Sequence, residues 1–268
     1  MRPITSSMEE FRFKCNETQD GLYVNTVKEN VPLPPWCVCG GMGYFHLNRE
    51  PGQPFFGDVF YCLCMEDEMA KRKGERLRQK SGLRGKLLEL TFSNFDVRHA
   101  GREHIKDLTS KKEDCVGFAK EPGKRWLTIF GPFGCGKTHL AAAIANHCLI
   151  NGSPVHFATV PDLLDHIRSG YDDGSYEEII NDLSTVGLLV LDDFGVNKST
   201  DWVEEKLFQV VNARDVDNLP MVFTSNLSPG MIGGRIGSRM TEGLGVEGSI
   251  VLHLDVGDQR PNAKRRVV

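Results

Sequence analysis

Residues 131–138 read GPFGCGKT and combine glycines with a lysine and a threonine. They fit the pattern G-x-x-x-x-G-K-[ST], in which the backbone amides of a glycine-rich turn surround phosphate groups. In such a loop Lys137 reaches the β and γ phosphates of ATP, and the Thr138 hydroxyl binds Mg²⁺. The alternative is a chance match. The predicted nucleotide contacts are Gly131, Pro132, Phe133, Gly134, Cys135, Gly136, Lys137, Thr138 and His139.

Two adjacent carboxylates follow an aliphatic run in GLLVLDDFG, residues 187–195. A phosphate-binding loop needs a carboxylate on a neighbouring strand for Mg²⁺, and a second polar group to orient the attacking water. We therefore predict that Asp192 binds Mg²⁺ and that Asp193 orients the water. The alternative is a strand that runs into an acidic turn. Many proteins of this architecture have Glu at the second position, so the role of Asp193 is the more open of the two.

Strands alternate with helices on both sides of these motifs. RWLTIF (125–130) is a predicted strand before the loop, and THLAAAIANHCLIN (138–151) is a predicted helix after it. This alternation predicts an α/β fold with a parallel sheet covered by helices on both faces. The further predicted strands are PVHFAT, GLLVL, MVFTS and SIVLHL, and the further helices are PDLLDHIRSG, YEEIINDLSTV and TDWVEEKLFQVVNARDV.

Four cysteines fall in two close pairs, Cys37 with Cys39 and Cys62 with Cys64. Two pairs joined by a Gly- and Pro-rich loop suit a tetrahedral Cys₄ zinc site, although C-x-x-C is the more usual spacing. His46 is a possible substitute ligand. The alternatives are buried thiols and an iron–sulfur cluster. We predict a structural zinc site in an N-terminal, partner-binding module over residues 1–70.

A strongly basic stretch follows this module. Residues 71–86 carry eight basic side chains and one acidic side chain, Glu75. Such a stretch is either a solvated helix or linker, or a surface for nucleic acid or an acidic partner. We predict a basic linker over residues 71–90 and an ATPase domain over residues 91–268.

The overall composition limits the class of protein. The chain has 268 residues, of which 40% are hydrophobic and 25% charged, and a net charge of −4. Any contact with nucleic acid must therefore come from a local basic patch. No apolar stretch approaches the ~20 residues of a membrane span, and the N-terminus has no apolar signal segment. These features predict a soluble, cytoplasmic protein without a membrane partner.

Several ordered motifs resemble the bacterial DnaC/DnaI/IstB-like AAA+ ATPases. The resemblance extends from about Ser81 to Arg260 and implies a P-loop AAA+ parallel sheet flanked by helices. A cysteine-rich module ahead of this core also resembles DnaC-type proteins. The motifs that carry the resemblance are SGLRGKLLELTFSNFDV, GPFGCGKTHLAAAIAN, VPDLLDHIR, LLVLDDFG, TDWVEEKLFQVVNAR, MVFTSN and RIGSRM.

The resemblance implies roles for three further residues. Asn226 takes the position of a polar sensor of the γ-phosphate and water, with a turn-capping asparagine as the alternative. Arg239 takes the position of an arginine that enters the site of the next subunit, with a surface ion pair as the alternative. Arg260 resembles a second sensor arginine that contacts the nucleotide.

The function implied by this resemblance is ATP-dependent loading of a replicative DnaB-type helicase onto single-stranded DNA at the start of replication. It includes self-association, because Arg239 would act between subunits. A second hypothesis is an IstB-like regulator of transposition that binds duplex DNA. A third is an adaptor that binds nucleotide without hydrolysing it.

Overall fold

The computed structural model describes residues 22–23, 43–47, 50–53, 56–61, 63–195, 200–242 and 250–258. The chain divides into two compact units, residues 1–73 and residues 74–268. The first unit contains a small antiparallel sheet in which β1 pairs with β2 and β2 pairs with β3. Its strands are β1 (Leu22–Tyr23), β2 (Tyr44–Leu47) and β3 (Val59–Tyr61).

The predicted zinc ligands fall largely outside the described residues. Cys37, Cys39 and Cys62 are not among them, and Cys64 is described only in its backbone. Within the described part of the chain, no three His, Cys, Asp or Glu side chains are grouped so that they could hold a metal ion. The zinc site therefore stays a prediction.

The second unit is built around a five-stranded parallel sheet with the order β5-β6-β7-β4-β8. This arrangement confirms the predicted α/β class, because every neighbouring pair of strands in the sheet is parallel. Its strands are β4 (Trp126–Phe130), β5 (Val155–Thr159), β6 (Leu188–Phe194), β7 (Met221–Ser225) and β8 (Ile250–His253).

Helices cover both faces of this sheet. Two short 3₁₀ helices, Gly85–Glu89 and Val97–His99, precede the first strand. No helix among the described residues is both long enough and apolar enough to cross a membrane. The α-helices are α1 (Leu63–Lys80), α2 (Ile105–Lys120), α3 (Lys137–Ile150), α4 (Val160–Asp173), α5 (Tyr176–Thr185), α6 (Asp201–Val216), α7 (Pro229–Ile232) and α8 (Gly234–Glu242).

The strands bury alternate side chains in two separate cores. On β7, Val222 packs with residues of α2 and α3, whereas Met221 and Phe223 pack with residues of α4, α5 and α6. This alternation follows from the two-residue repeat of a strand whose two faces are both covered. The result is a rigid sheet, and the ends of its strands hold the site described below.

Residues 81–83 fix the end of α1 to the edge strand β5. The Phe157 amide donates a hydrogen bond of 2.7 Å to the carbonyl oxygen of Ser81, a residue with no exposed surface. Gly82 has a φ of +74°, and a Cβ added there would lie 2.1 Å from the carbonyl oxygen of Phe157. Glycine is therefore required for this close approach of two backbones.

Arg214 of α6 is a fully buried arginine at the end of the sheet where β6 and β7 begin. Its guanidinium donates hydrogen bonds of 2.8 to 2.9 Å to the carbonyl oxygens of Leu183, Val186 and Pro220. Burial lowers the pKa of Arg214 to about 10, which still leaves it charged at neutral pH. Arg214 thus joins the residues that precede β6 to those that precede β7.

We expect Arg214→Leu to destabilise the protein by about 3 kcal/mol or more, because three carbonyl oxygens, two of them in buried hydrogen bonds, would lose their donors. The control is Arg102→Leu at an exposed position, where we expect a change within about 0.5 kcal/mol. Chemical denaturation of the three proteins measures the difference. Equal stability of the two variants would contradict this role of Arg214.

Candidate active site

The glycine-rich loop connects β4 to α3 and brings the start of α3 to the end of the sheet. Lys137 is the first residue of α3, and Gly136 before it has a φ of +102°. A Cβ on Gly136 would lie 2.7 Å from the ring of Phe95, so only glycine allows the ring to pack there. The helix thus begins with its free amides at the loop, which is the arrangement that binds phosphate.

Lys137 is held by three oxygen atoms. Its Nζ donates hydrogen bonds to the carbonyl oxygens of Gly131 at 2.9 Å and Pro132 at 2.8 Å, and to Oδ1 of Asn226 at 2.8 Å. These acceptors match the three N–H groups of an ammonium. The structure therefore brings together the predicted loop lysine and the predicted sensor asparagine, which are 89 residues apart.

Asn226 follows β7 and presents an unused donor to the same site. Its Oδ1 accepts from Lys137, whereas its Nδ2 is buried and has no hydrogen-bond partner among the described residues. A buried donor without a partner is costly. An oxygen of a phosphate group would satisfy it, so this residue fits a bound nucleotide.

Asp192 contacts the loop threonine directly. Its two carboxylate oxygens lie 3.0 and 3.1 Å from Oγ1 of Thr138, and Oδ1 also accepts from the hydroxyl of Thr224. The side chain is almost fully buried. Burial raises the pKa of Asp192 above the usual aspartate range, although the hydrogen bonds from Thr224 and Thr138 lower it in part. A carboxylate beside a hydroxyl is a suitable pair of oxygen ligands for Mg²⁺.

Asp193 occupies an irregular position in β6. Its φ is +56°, in the left-handed region, and the register between β6 and β7 shifts between Leu191 and Phe194. Aspartate tolerates this conformation better than most residues, which gives a physical reason for Asp at this position. The half-buried carboxylate forms no hydrogen bond or ion pair with the described part of the chain. It remains available for a water molecule.

Thr224 is a site residue that sequence analysis missed. Its hydroxyl donates to Asp192 and accepts from the backbone amide of Asp193 at 3.0 Å, so it links both carboxylate positions. In the sequence, Thr224 could have been recognised as a polar residue near the end of the apolar strand MVFTS, which Asn226 follows.

His139 connects the loop to the segment before the sheet. Its Nε2 lies 3.0 Å from the carbonyl oxygen of Thr91 and 2.9 Å from Oδ1 of Asn94. Both partners accept, so Nε2 must carry the hydrogen. Phe95 packs edge-on against the His139 ring with centroids 5.1 Å apart. Burial lowers the pKa of His139, which favours the neutral form of the ring.

Arg239 lies on α8 and contacts α6. Its Nε lies 3.3 Å from Oδ2 of the nearly buried Asp215, and its guanidinium lies 5.0 Å from the centre of the Phe208 ring. These contacts place Arg239 against α6 and leave its action between subunits a prediction. Arg260 lies outside the described residues.

The loop, its lysine and a buried carboxylate at the end of a parallel sheet define a P-loop nucleotide-binding protein. Residues 58–239 match the family model of the IstB-like ATP binding protein. The replicative helicase loader DnaC of Escherichia coli K12 is 31% identical over 186 residues, which are 67% of this chain and 74% of DnaC. The chain belongs to the DnaC/DnaI/IstB-like family of AAA+ ATP-binding proteins.

Other relatives match with similar identity. The replicative helicase loader DnaI of Bacillus subtilis is 30% identical over 165 residues, which cover 59% of this chain and 51% of DnaI. The YdaV protein of Escherichia coli K12 is 29% identical over 194 residues, which cover 70% of this chain and 75% of YdaV.

Solved structures share the fold at lower identity. A crystal structure of the DnaC helicase loader has a TM-score of 0.52 and 21% identity, and the match covers 63% of this chain and 99% of that chain. The replication initiator DnaA bound to AMPPCP and single-stranded DNA has a TM-score of 0.53 and 22% identity, over 64% and 51% of the two chains. These matches confirm the predicted AAA+ fold.

We expect Asp192→Asn to raise the melting temperature of the nucleotide-free protein and to reduce the further rise caused by Mg²⁺-ATP. Asparagine removes a buried charge whose raised pKa reflects an unfavourable environment, and it keeps an acceptor for Thr138 and Thr224. For a unit of this size, about 1 kcal/mol corresponds to about 2–4 °C.

Thermal unfolding with and without Mg²⁺-ATP measures both effects. The exposed Asp172 provides the control variant Asp172→Asn, which should change neither. A lower melting temperature for Asp192→Asn without nucleotide would contradict the proposed cost of the buried charge.

Proposed function

We propose that this protein hydrolyses ATP to load a replicative DnaB-type helicase onto single-stranded DNA. The main support for ATP hydrolysis is the pair of direct contacts at one end of the sheet, between Lys137 and Asn226 and between Thr138 and Asp192. The names of DnaC and DnaI, replicative helicase loaders about 30% identical to this chain, support the biological role.

Each residue has a defined task in hydrolysis. The Lys137 ammonium contacts the β and γ phosphates and offsets the negative charge that develops between them. The buried Asn226 amide donates to an oxygen of the γ-phosphate. Water then attacks the γ-phosphorus as the bond to the β-phosphate oxygen breaks, which yields ADP and phosphate.

Thr138 and Asp192 would hold Mg²⁺, because their oxygens already lie side by side. When bound, Mg²⁺ neutralises charge on the β and γ phosphates. Asp193, which follows directly in β6, accepts a hydrogen bond from the attacking water and orients it. Its irregular backbone, held by Thr224, sets the direction of this carboxylate.

Arg239 would complete the site of a neighbouring subunit. An arginine supplied in this way raises hydrolysis by about 10³–10⁵-fold in P-loop enzymes. In the single chain it pairs with Asp215 and stacks on Phe208, so assembly must draw it away from α6. The isolated chain should therefore hydrolyse ATP slowly.

A role in transposition is the second candidate, because the matching family model is that of the IstB-like ATP binding protein. It predicts cooperative binding to duplex DNA and no dependence on a helicase. The third hypothesis, a nucleotide-binding adaptor, predicts that the protein binds ATP and does not hydrolyse it.

We expect Asp193→Asn to bind Mg²⁺-ATP normally and to hydrolyse it at least about 100-fold more slowly. The substitution replaces the carboxylate that orients the water with an uncharged amide. Asn tolerates the left-handed backbone, so the fold should be unchanged. Asp193→Glu should not exceed the wild-type rate, because glutamate is poorly suited to a φ of +56°. Nucleotide titration and steady-state phosphate release measure these effects, and full activity of Asp193→Asn would exclude this role.

We expect Lys137→Ala and Arg239→Ala to be inactive alone in ATPase assays with single-stranded DNA and the replicative helicase encoded by the same genome. A mixture of the two should regain activity, because one variant supplies an intact loop and the other an intact arginine. Failure of the mixture would show that Arg239 does not act between subunits. Stimulation by duplex DNA without helicase would favour the transposition role, and a wild-type protein that never hydrolyses ATP would favour the adaptor.

A further inference from the structure

We propose that exposed cations at the end of α1 and in the turn after it bind the sugar–phosphate backbone of single-stranded DNA. This inference rests on the proposed function and assigns a surface to its DNA partner. The surface, which we call the basic strip, lies within residues 74–268. It consists of Arg76, Arg78, Lys80, Arg84 and Lys86.

The charge of the basic strip is opposite to that of the rest of the chain. Residues 76–86 contain five basic and no acidic side chains. Residues 71–86 carry a charge of +7 in a chain of net charge −4, so the remaining residues carry −11. A polyanion is therefore attracted to this region and repelled, on average, by the remainder.

All five side chains of the basic strip are exposed, and none forms an ion pair with a carboxylate of the described residues. The one acidic side chain in the adjoining turn, Glu75, accepts a hydrogen bond from Gln79. Exposed cations of this kind release the counterions of nucleic acid when they bind phosphates, and this release is a main source of affinity for nucleic acids.

The backbone beneath the basic strip is fixed at two places. Ser81 bonds to the edge strand β5, and its hydroxyl also donates to the carbonyl oxygen of Arg78 at 2.7 Å. Beyond the turn, the Asn146 side chain donates 2.8 Å hydrogen bonds to the carbonyl oxygens of Leu87 and Leu90. The cations are thus presented by a rigid support, which reduces the entropy lost on binding.

The spacing of the cations suits a backbone contact. Arg76 and Lys80 lie one helical turn apart on the same side of α1, about 6 Å along its axis. Arg84 and Lys86 continue the positive charge beyond the end of the helix, where Ser81 and Gly82 turn the chain. The strip can therefore contact several successive phosphates.

The apolar residues of this segment argue against a protein partner. Leu83 is buried and Leu77 is half-buried, and residues 71–86 include no aromatic side chain. Protein interfaces depend on buried aromatic and aliphatic anchors, whereas phosphate binding requires only cations. Without aromatic side chains for base stacking, binding through the strip should show no preference for base sequence.

The test compares the full-length protein with the triple variant Arg76→Gln, Lys80→Gln, Arg84→Gln. Binding of a fluorescent single-stranded oligonucleotide is measured at several salt concentrations. For the loss of three phosphate contacts, the slope of log K against log salt should fall by about 2, or about 0.7 per contact. Affinity at low salt should fall about tenfold or more, equally for oligonucleotides of different sequence.

A matched triple variant removes the same charge elsewhere: Lys106→Gln, Lys120→Gln, Lys124→Gln, at exposed positions in and after α2. It should keep the wild-type slope and affinity. Wild-type DNA binding by the strip variant would overturn the inference, as would equal losses in both variants. Loss of helicase binding with retained DNA binding would also overturn it and would assign the strip to an acidic protein.

Basal ATP hydrolysis and helicase delivery are measured on the same proteins. The basic strip lies outside the nucleotide site, so the strip variant should bind ATP normally. If the wild type delivers no helicase but the strip variant still loses salt-dependent DNA binding, the proposed function fails and the assignment of the strip stands. If the wild type delivers the helicase and the strip variant keeps the wild-type salt slope, the assignment of the strip fails and the proposed function stands.

Discussion

The parallel pairing of β4 with β7 is the constraint on which the site depends. It aligns Phe130 with Ser225, so the residues that follow both strands emerge side by side. The loop can then place Lys137 against Asn226 although many residues separate them in the chain. If β7 were antiparallel to β4, it would begin at this edge instead of ending there, and Asn226 would lie at the opposite end of the sheet. The topology of the sheet thus brings Lys137 and Asn226 together, which no local sequence preference could do.

The same edge concentrates groups that are unfavourable in a protein interior. A buried ammonium, a buried carboxylate with a raised pKa, an amide with no partner among the described residues and a left-handed aspartate all lie there. Each costs free energy that the two apolar cores must offset. A nucleotide with its metal ion is the ligand that would relieve most of these costs, because it brings both negative oxygens and a cation. This balance is common in sites that give up stability for binding.

Sequence patterns predicted the five strands of the parallel sheet and the helices α3, α4, α5 and α6, because buried strands and amphipathic helices have distinct periods. They predicted none of the helices α2, α7 and α8. The strand MVFTS was predicted with the bounds that β7 has. The strand GLLVL was predicted too short, since β6 continues through both aspartates to Phe194. The shift in register that permits this depends on Thr224 in a neighbouring strand, and the contact of Arg239 with Asp215 depends on helix packing. Long-range contacts of this kind leave no local pattern in a sequence.

The bond between the Ser81 carbonyl and the Phe157 amide has a consequence for the solubility of the protein. β5 is an edge strand, and an uncovered edge can pair with the edge of another molecule and start aggregation. The Ser81 carbonyl oxygen occupies one donor of that edge, the Phe157 amide. Gly82 brings its own backbone close enough to block access to the carbonyl oxygen of Phe157. The segment that precedes the parallel sheet therefore also protects β5 from pairing with a strand of another molecule. A fragment that begins after Gly82 would lack this protection.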